Sequence, residues 1–198
     1  MEWKMMAGSP EGLTLLDVAQ IAGAAGAVVA AVTTVVIFWL RSRWDRQVQR
    51  SQRTFEFIDE FFSDKFTKHR SSINTTREKV ALGKANMEEI ARGYVVGHSE
   101  GHYSGDEMGD GMNEHMHMDM MLYYLQRLSF AISKKLADEK ELRDVLGYQL
   151  EWDRKFLLDL TASCRKICVE NNEIEPPFCV RVEAVLEKLS SNRSRPAV

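Results

Sequence analysis

Five side chains in the middle of this chain are of the types that hold transition metals: His98, His102, Glu114, His115 and His117. Imidazole and carboxylate bind divalent first-row ions, and Met108, Met112, Met116, Met118, Met120 and Met121 add thioethers suited to softer ions such as copper. His98 and His102 are spaced to share one helical face. In His98-Ser-Glu-Gly-His102, however, the glutamate does not directly follow the first histidine, as a zinc-protease helix requires. Glu114-His115-Met116-His117 supplies one Glu-x-x-His unit where di-iron bundles use two. Asp106 to Gly111 lacks the alternating oxygen ligands of a calcium loop. A divalent transition-metal site is therefore one reading of these residues, and no cofactor is firmly implied. The other reading is a solvated, compositionally biased loop.

The surrounding composition favours the loop. Residues 93–126 carry Glu100, Asp106, Glu107, Asp110, Glu114 and Asp119 but no lysine or arginine. Glycine recurs at 93, 97, 101, 105 and 109, and each costs about 1 kcal/mol relative to alanine in a helix interior. A flexible Gly/His/Met/acidic loop over 93–117 is expected, joining two helices. Catalytic signatures are missing from the sequence. There is no phosphate-cradling Gly-Lys-Ser/Thr loop, no Gly-x-Ser-x-Gly elbow and no dinucleotide fingerprint. Cys164 and Cys168 stand one helical turn apart and could bind a soft metal, but two core-facing small residues account for them more simply.

The element that must position all of this is announced by Ile21 to Leu40, twenty consecutive residues without a charge. As a helix they span about 30 Å, the hydrocarbon thickness of a bilayer. A cleaved signal peptide fits poorly, because the leader holds Glu2, Lys4, Glu11 and Asp17 and the run ends in bulky Phe38-Trp39-Leu40. We expect a transmembrane helix over 18–40. Arg41, Arg43, Arg46, Arg50 and Arg53 follow it against Asp45 alone, which predicts a short outward N-terminus (1–17) and a cytoplasmic remainder, in a plasma (inner) membrane. Trp39, Arg41, Arg43, Trp44 and Arg46 are the expected membrane-interface residues. Small residues in rows, Ala22-Gly26-Ala30 and Gly23-Ala27-Ala31, would let two such helices approach closely.

Beyond the span the pattern is helical. No glycine or proline falls between Arg41 and His69, which predicts a basic, aromatic stalk helix over 41–69 with Phe55, Ile58, Phe62 and Phe66 on one face. A helical bundle is expected over 70–189. Its helices are expected from about Ile73 to Ala91 with Gly83 as a break, and from an Asn113 or Asp119 cap through the stripe Met118, Met121, Leu122, Leu125, Leu128, Ile132 and Leu136. Asp138 should cap a helix over Glu139 to about Val169, with Leu142, Val145, Leu146, Leu150, Leu157, Leu160, Cys164 and Ile167 inward. Pro176-Pro177 ends any helix, a short one follows over roughly Cys179 to Leu189, and 190–198 reads as a disordered tail. The fold class is all-α, one N-terminal transmembrane helix continuing into a cytosolic bundle.

The segments Arg53-Thr-Phe-Glu-Phe-Ile-Asp-Glu-Phe-Phe62, Met121-Leu-Tyr-Tyr-Leu-Gln-Arg-Leu-Ser-Phe-Ala-Ile-Ser133 and Asp138-Glu-Lys-Glu-Leu-Arg-Asp-Val-Leu-Gly147 resemble an uncharacterised bacterial family of single-span, membrane-anchored helical proteins. The resemblance covers about two-thirds of the chain, implies architecture and carries no catalytic residues. The His/Met loop departs from that pattern as an insertion would. A net charge of −3 makes no case for nucleic acid. The expected partners are the lipid bilayer, a second copy meeting through the span or stalk, and a cytosolic protein. Cysteines 164, 168 and 179, on the expected cytosolic side, should be reduced thiols.

Overall fold

The computed structural model describes residues 15–96 and 112–190. They form six helices, α1 (Leu15–Phe62), α2 (Asp64–Ala81), α3 (Met87–Val95), α4 (Glu114–Ser133), α5 (Glu139–Asn171) and α6 (Pro177–Leu189), with no strand among the described residues. The chain divides into two compact units at Gln47 and Val48.

The first unit holds the apolar run of α1 and its arginine-rich exit as far as Gln47. The stretch beginning at Ala22 is long and apolar enough to cross a membrane, and none of its apolar window is buried within the protein. Within it the Thr33 and Thr34 hydroxyls donate to the carbonyls of Val29 and Ala30 at 2.8 Å. Those bonds satisfy groups that hydrocarbon could not solvate.

The second unit is a bundle with its own core. Met118, Met121, Leu122, Leu125, Leu128 and Ile132 of α4 are buried against Leu142, Leu146, Leu150, Leu157 and Leu160 of α5 and Val182, Val185, Leu186 and Leu189 of α6. α6 packs on both α4 and α5, α3 packs on α5, and α2 packs on α4. Gly147 permits a close approach of α5 to the end of α6, since a Cβ there would stand 2.7 Å from the Leu189 carbonyl oxygen. All three cysteines are buried free thiols, and Cys164 donates to the Ala91 carbonyl at 3.8 Å, tying α5 to α3.

Several helix limits differ from the sequence expectation. The stalk helix does not run through 41–69. It ends at Phe62, because the Ser63 hydroxyl donates to the Glu60 carbonyl and accepts the Phe66 amide, closing one helix and capping the next. The expected aromatic face is rotated. Phe57, Phe61 and Phe66 are buried, whereas Phe55 and Phe62 are exposed and Ile58 is half-buried. The expected 73–91 helix separates into α2 and α3 at Gly83, whose φ of +67° suits only a residue without Cβ strain, and Asn86 caps α3. The expected 93–117 loop is shorter at both ends, since α3 reaches Val95 and α4 begins at Glu114 under an Asn113 cap. Its centre, 97–111, lies outside the described residues, as do 1–14 of the outward segment and 191–198 of the tail. Leu136 falls past α4, in a turn that Lys135 makes at φ 57°, and Val145 is exposed.

At the α5–α6 corner, Arg165 grips Glu183 with both Nη atoms at 2.5 and 2.7 Å and reaches Glu175 at 2.7 Å. Arg165, more than the Thr161 hydroxyl, holds the Glu183 carboxyl below its ordinary value. The stability this contributes is complete above the ordinary glutamate value of 4.5 and fades as pH falls below it. Glu183→Gln should therefore flatten the acid limb of a stability-against-pH curve measured by denaturant unfolding, and leave its alkaline limb unchanged.

Candidate functional site

The start of α4 brings polar side chains into the core. Asn113 accepts the Met116 amide at 2.9 Å, and this cap sets the helical phase of the next residues. With that phase, His117 points fully inward, His115 is nearly buried and Glu114 lies against α2. The Nδ1 of His117 stands 2.9 Å from the Nδ1 of His69 on α2. In such a contact one ring carries the Nδ1 proton and the other presents a bare nitrogen, so the pair is a single shared-proton hydrogen bond. Phe66 packs edge-on against His69, with ring centroids 5.2 Å apart.

Glu114 accepts the Thr76 hydroxyl at 2.5 Å and pairs with the Lys79 ammonium. His115 directs Nε2 toward Asp119 at 3.3 Å and stacks obliquely on Tyr94 of α3, with centroids 4.6 Å apart. The three candidate ligands Glu114, His115 and His117 thus meet three different sets of partners. Among the described residues no group of three or more His, Cys, Asp or Glu side chains is arranged to hold a metal ion. His98 and His102 lie outside the described residues. Sequence reasoning missed His69. Its signal is positional, since Phe66, His69, Ile73 and Thr76 follow the inward stripe of α2 at three- and four-residue steps.

On α1, the membrane-interface candidates Trp39, Arg41, Arg43, Trp44 and Arg46 are all exposed, and the Arg43 guanidinium lies 4.3 Å over the Trp39 ring. Arg50 is committed elsewhere, with Nε donating to the Ala137 carbonyl at 3.1 Å and Nη2 3.2 Å from Asp138. The association candidates Ala22, Gly23, Gly26, Ala27 and Ala30 are exposed, and a Cβ at Gly23 or Gly26 would meet nothing within 4 Å. Among the described residues, packing therefore does not require those glycines.

α4 also carries a feature that no sequence motif announces. Met116, Met120, Tyr123 and Phe130 form a line along its outer side and are 41–55% exposed. Arg127 interrupts the line, but its guanidinium lies over the Phe57 and Tyr123 rings while pairing with Glu60 at 2.7 Å. Arg181 of α6 covers one side of Phe130. The line is an aromatic and thioether face on a rigid helix, suited to burial against another protein surface.

A family model described as a domain of unknown function, DUF4760, matches residues 20–166, most of the chain. Neither a curated protein nor a solved structure matches it.

The histidine pair yields a stability prediction. His69→Ala or His117→Ala removes one half of a buried hydrogen bond and leaves a cavity, at a cost of about 2–4 kcal/mol. Replacing both rings by leucine should cost clearly less than the sum of the two alanine variants, because no buried nitrogen then loses its neighbour. Denaturant unfolding of the full chain in detergent measures both.

Proposed function

As the chain belongs to DUF4760, a family of unknown function, we propose its role from its own residues: a single-pass membrane protein whose cytoplasmic helical bundle is an interaction module. The observation that carries this reading is an unburied apolar helix, long enough to span a bilayer, joined to a unit that has its own core. The exposed Trp39, Arg41, Arg43, Trp44 and Arg46 supply the aromatic and cationic collar of a cytoplasmic membrane face. The arginine excess after Leu40 supports an outward N-terminus and an inner-membrane location. The outer face of α4 is the docking surface, for a cytosolic protein or a second copy of the chain. The exposed rows through Ala22, Gly23, Gly26, Ala27 and Ala30 are where two spans would meet. Among the described residues, Glu114 meets Thr76 and Lys79, His115 meets Asp119 and Tyr94, and His117 meets His69.

Topology is tested with single added thiols. Ser9→Cys should react with a membrane-impermeant maleimide on intact cells, and Ser194→Cys only after permeabilisation. The reverse pattern, or labelling of a freely soluble chain, overturns the reading. Docking is tested by a photo-crosslinking amino acid at Tyr123 in native membranes. One discrete crosslinked species is expected, lost on Phe130→Asp with the thermal midpoint of the bundle unchanged. Recovery of monomer alone counts against the α4 face.

A further inference from the structure

A groove of about 500 Å³ runs between α2 and α5, with Phe61 of α1 among its lining residues. Its two arginines differ in what they have to do. Arg77 is engaged at both Nη atoms, with Nη1 donating to the Trp152 carbonyl at 2.8 Å and to Asp153 at 3.0 Å, and Nη2 donating to Asn74 at 2.8 Å. That set closes one end of the groove with balanced charge. Burial pushes the Asp153 carboxyl up, while Arg77 and, less strongly, Arg70 pull it back.

Arg70 is different. Its guanidinium is held 4.8 Å over the Phe61 ring and 5.5 Å over the Phe62 ring, and Nη2 donates to the Thr67 hydroxyl at 3.0 Å. Its buried Nε has no hydrogen-bond partner, and among the described residues no carboxylate comes within ion-pair distance of it. A guanidinium has five N–H donors in a rigid fork that matches a carboxylate. Here most of them are uncommitted, and the side chain has already lost its rotamer freedom to the two phenyl rings. On the α5 side of the groove, Tyr148 and Trp152 are 66% and 62% exposed and stand edge to face with centroids 6.2 Å apart. One net positive charge and two wettable aromatic rings therefore face the same space.

We propose that the α2–α5 groove is a binding site for a small aromatic monocarboxylate, whose carboxylate pairs with Arg70 and whose ring lies against Trp152 and Tyr148. The charge selects a monoanion, since Asp153 already neutralises Arg77 and would repel a second negative group. The aromatic side of the groove selects a flat body, because an aliphatic acid would leave Trp152 in water. The site is independent of the membrane topology and of the α4 face, so failure of either leaves this one standing.

The test uses the full chain in detergent with 4-(trifluoromethyl)benzoate as probe, followed by ¹⁹F NMR line width, and its uncharged amide as control. Saturable binding of the benzoate below about 1 mM is expected, with the amide bound at least about tenfold more weakly. Arg70→Gln should weaken the benzoate about tenfold or more without changing the amide, and Arg70→Lys should fall between because it keeps charge but loses the fork. Trp152→Leu should weaken both ligands. Circular dichroism identifies any variant that fails to fold, and Trp152→Leu, whose ring is exposed, then decides the matter. Absence of saturation up to about 10 mM, equal binding of acid and amide, or indifference to both Arg70 variants overturns the proposal.

Discussion

The buried hydroxyl of Thr54 accepts the backbone N–H of Asp138 at 2.7 Å and donates to the carbonyl of Arg50 at 2.8 Å. Asp138 in turn caps α5 by accepting the amides of Lys140 and Glu141, and its carboxylate faces Arg50. Around this node the last turns of α1, the end of α4 and the start of α5 are held by directional bonds as well as by apolar contact. Hydrophobic burial is non-directional and tolerates sliding of one helix along another. A hydroxyl that must bridge two named backbone groups does not. The Tyr124 hydroxyl, donating to the Phe57 carbonyl at 3.0 Å, sets a second such point one turn further along α1.

The aromatic rotation on α1 follows from these two bonds. With Thr54 and Phe57 turned toward α4 and α5, Phe61 must also face inward, and it meets Tyr124 and Phe66 with ring centroids 5.7 and 5.9 Å from its own. Phe55 and Phe62 are left outside. Phe62 then becomes available to Arg70, and the stacked guanidinium forms part of the α2–α5 groove. The groove therefore depends on the helical phase of a different element, fixed more than a turn away from it.

The polar interior at the head of α4 has a comparable logic. Buried hydrogen-bonded groups contribute little net stability, but an arrangement that leaves them unmatched is penalised. His69 with His117, and Glu114 with Thr76 and Lys79, match α2 to α4 at one register only. Glu114 and His117, two of the metal-ligand candidates, join α4 to α2. This leaves the methionine and aromatic line on another side of α4, 41–55% exposed.

The amino-acid sequence by itself determined the helical class, the uncharged stretch from Ile21 to Leu40 with its arginine-rich exit, the Asp138 cap and most of the inward stripes of α4 and α5, and it narrowed the α4 cap to Asn113 or Asp119. Those features are local, written in periodicity, capping chemistry and charge within a few residues of each other. It was silent on the break at Ser63, where a serine hydroxyl replaced the glycine or proline signal, and on the rotated face of α1. It also gave no sign of His69 as the partner of His117, 48 residues away. Only the tertiary structure decided these, because the energy that settles them comes from groups distant in the chain. The balance of helix phases across α1, α2, α4 and α5 turned a run of ligand-like histidines inward and opened a groove where no motif had pointed.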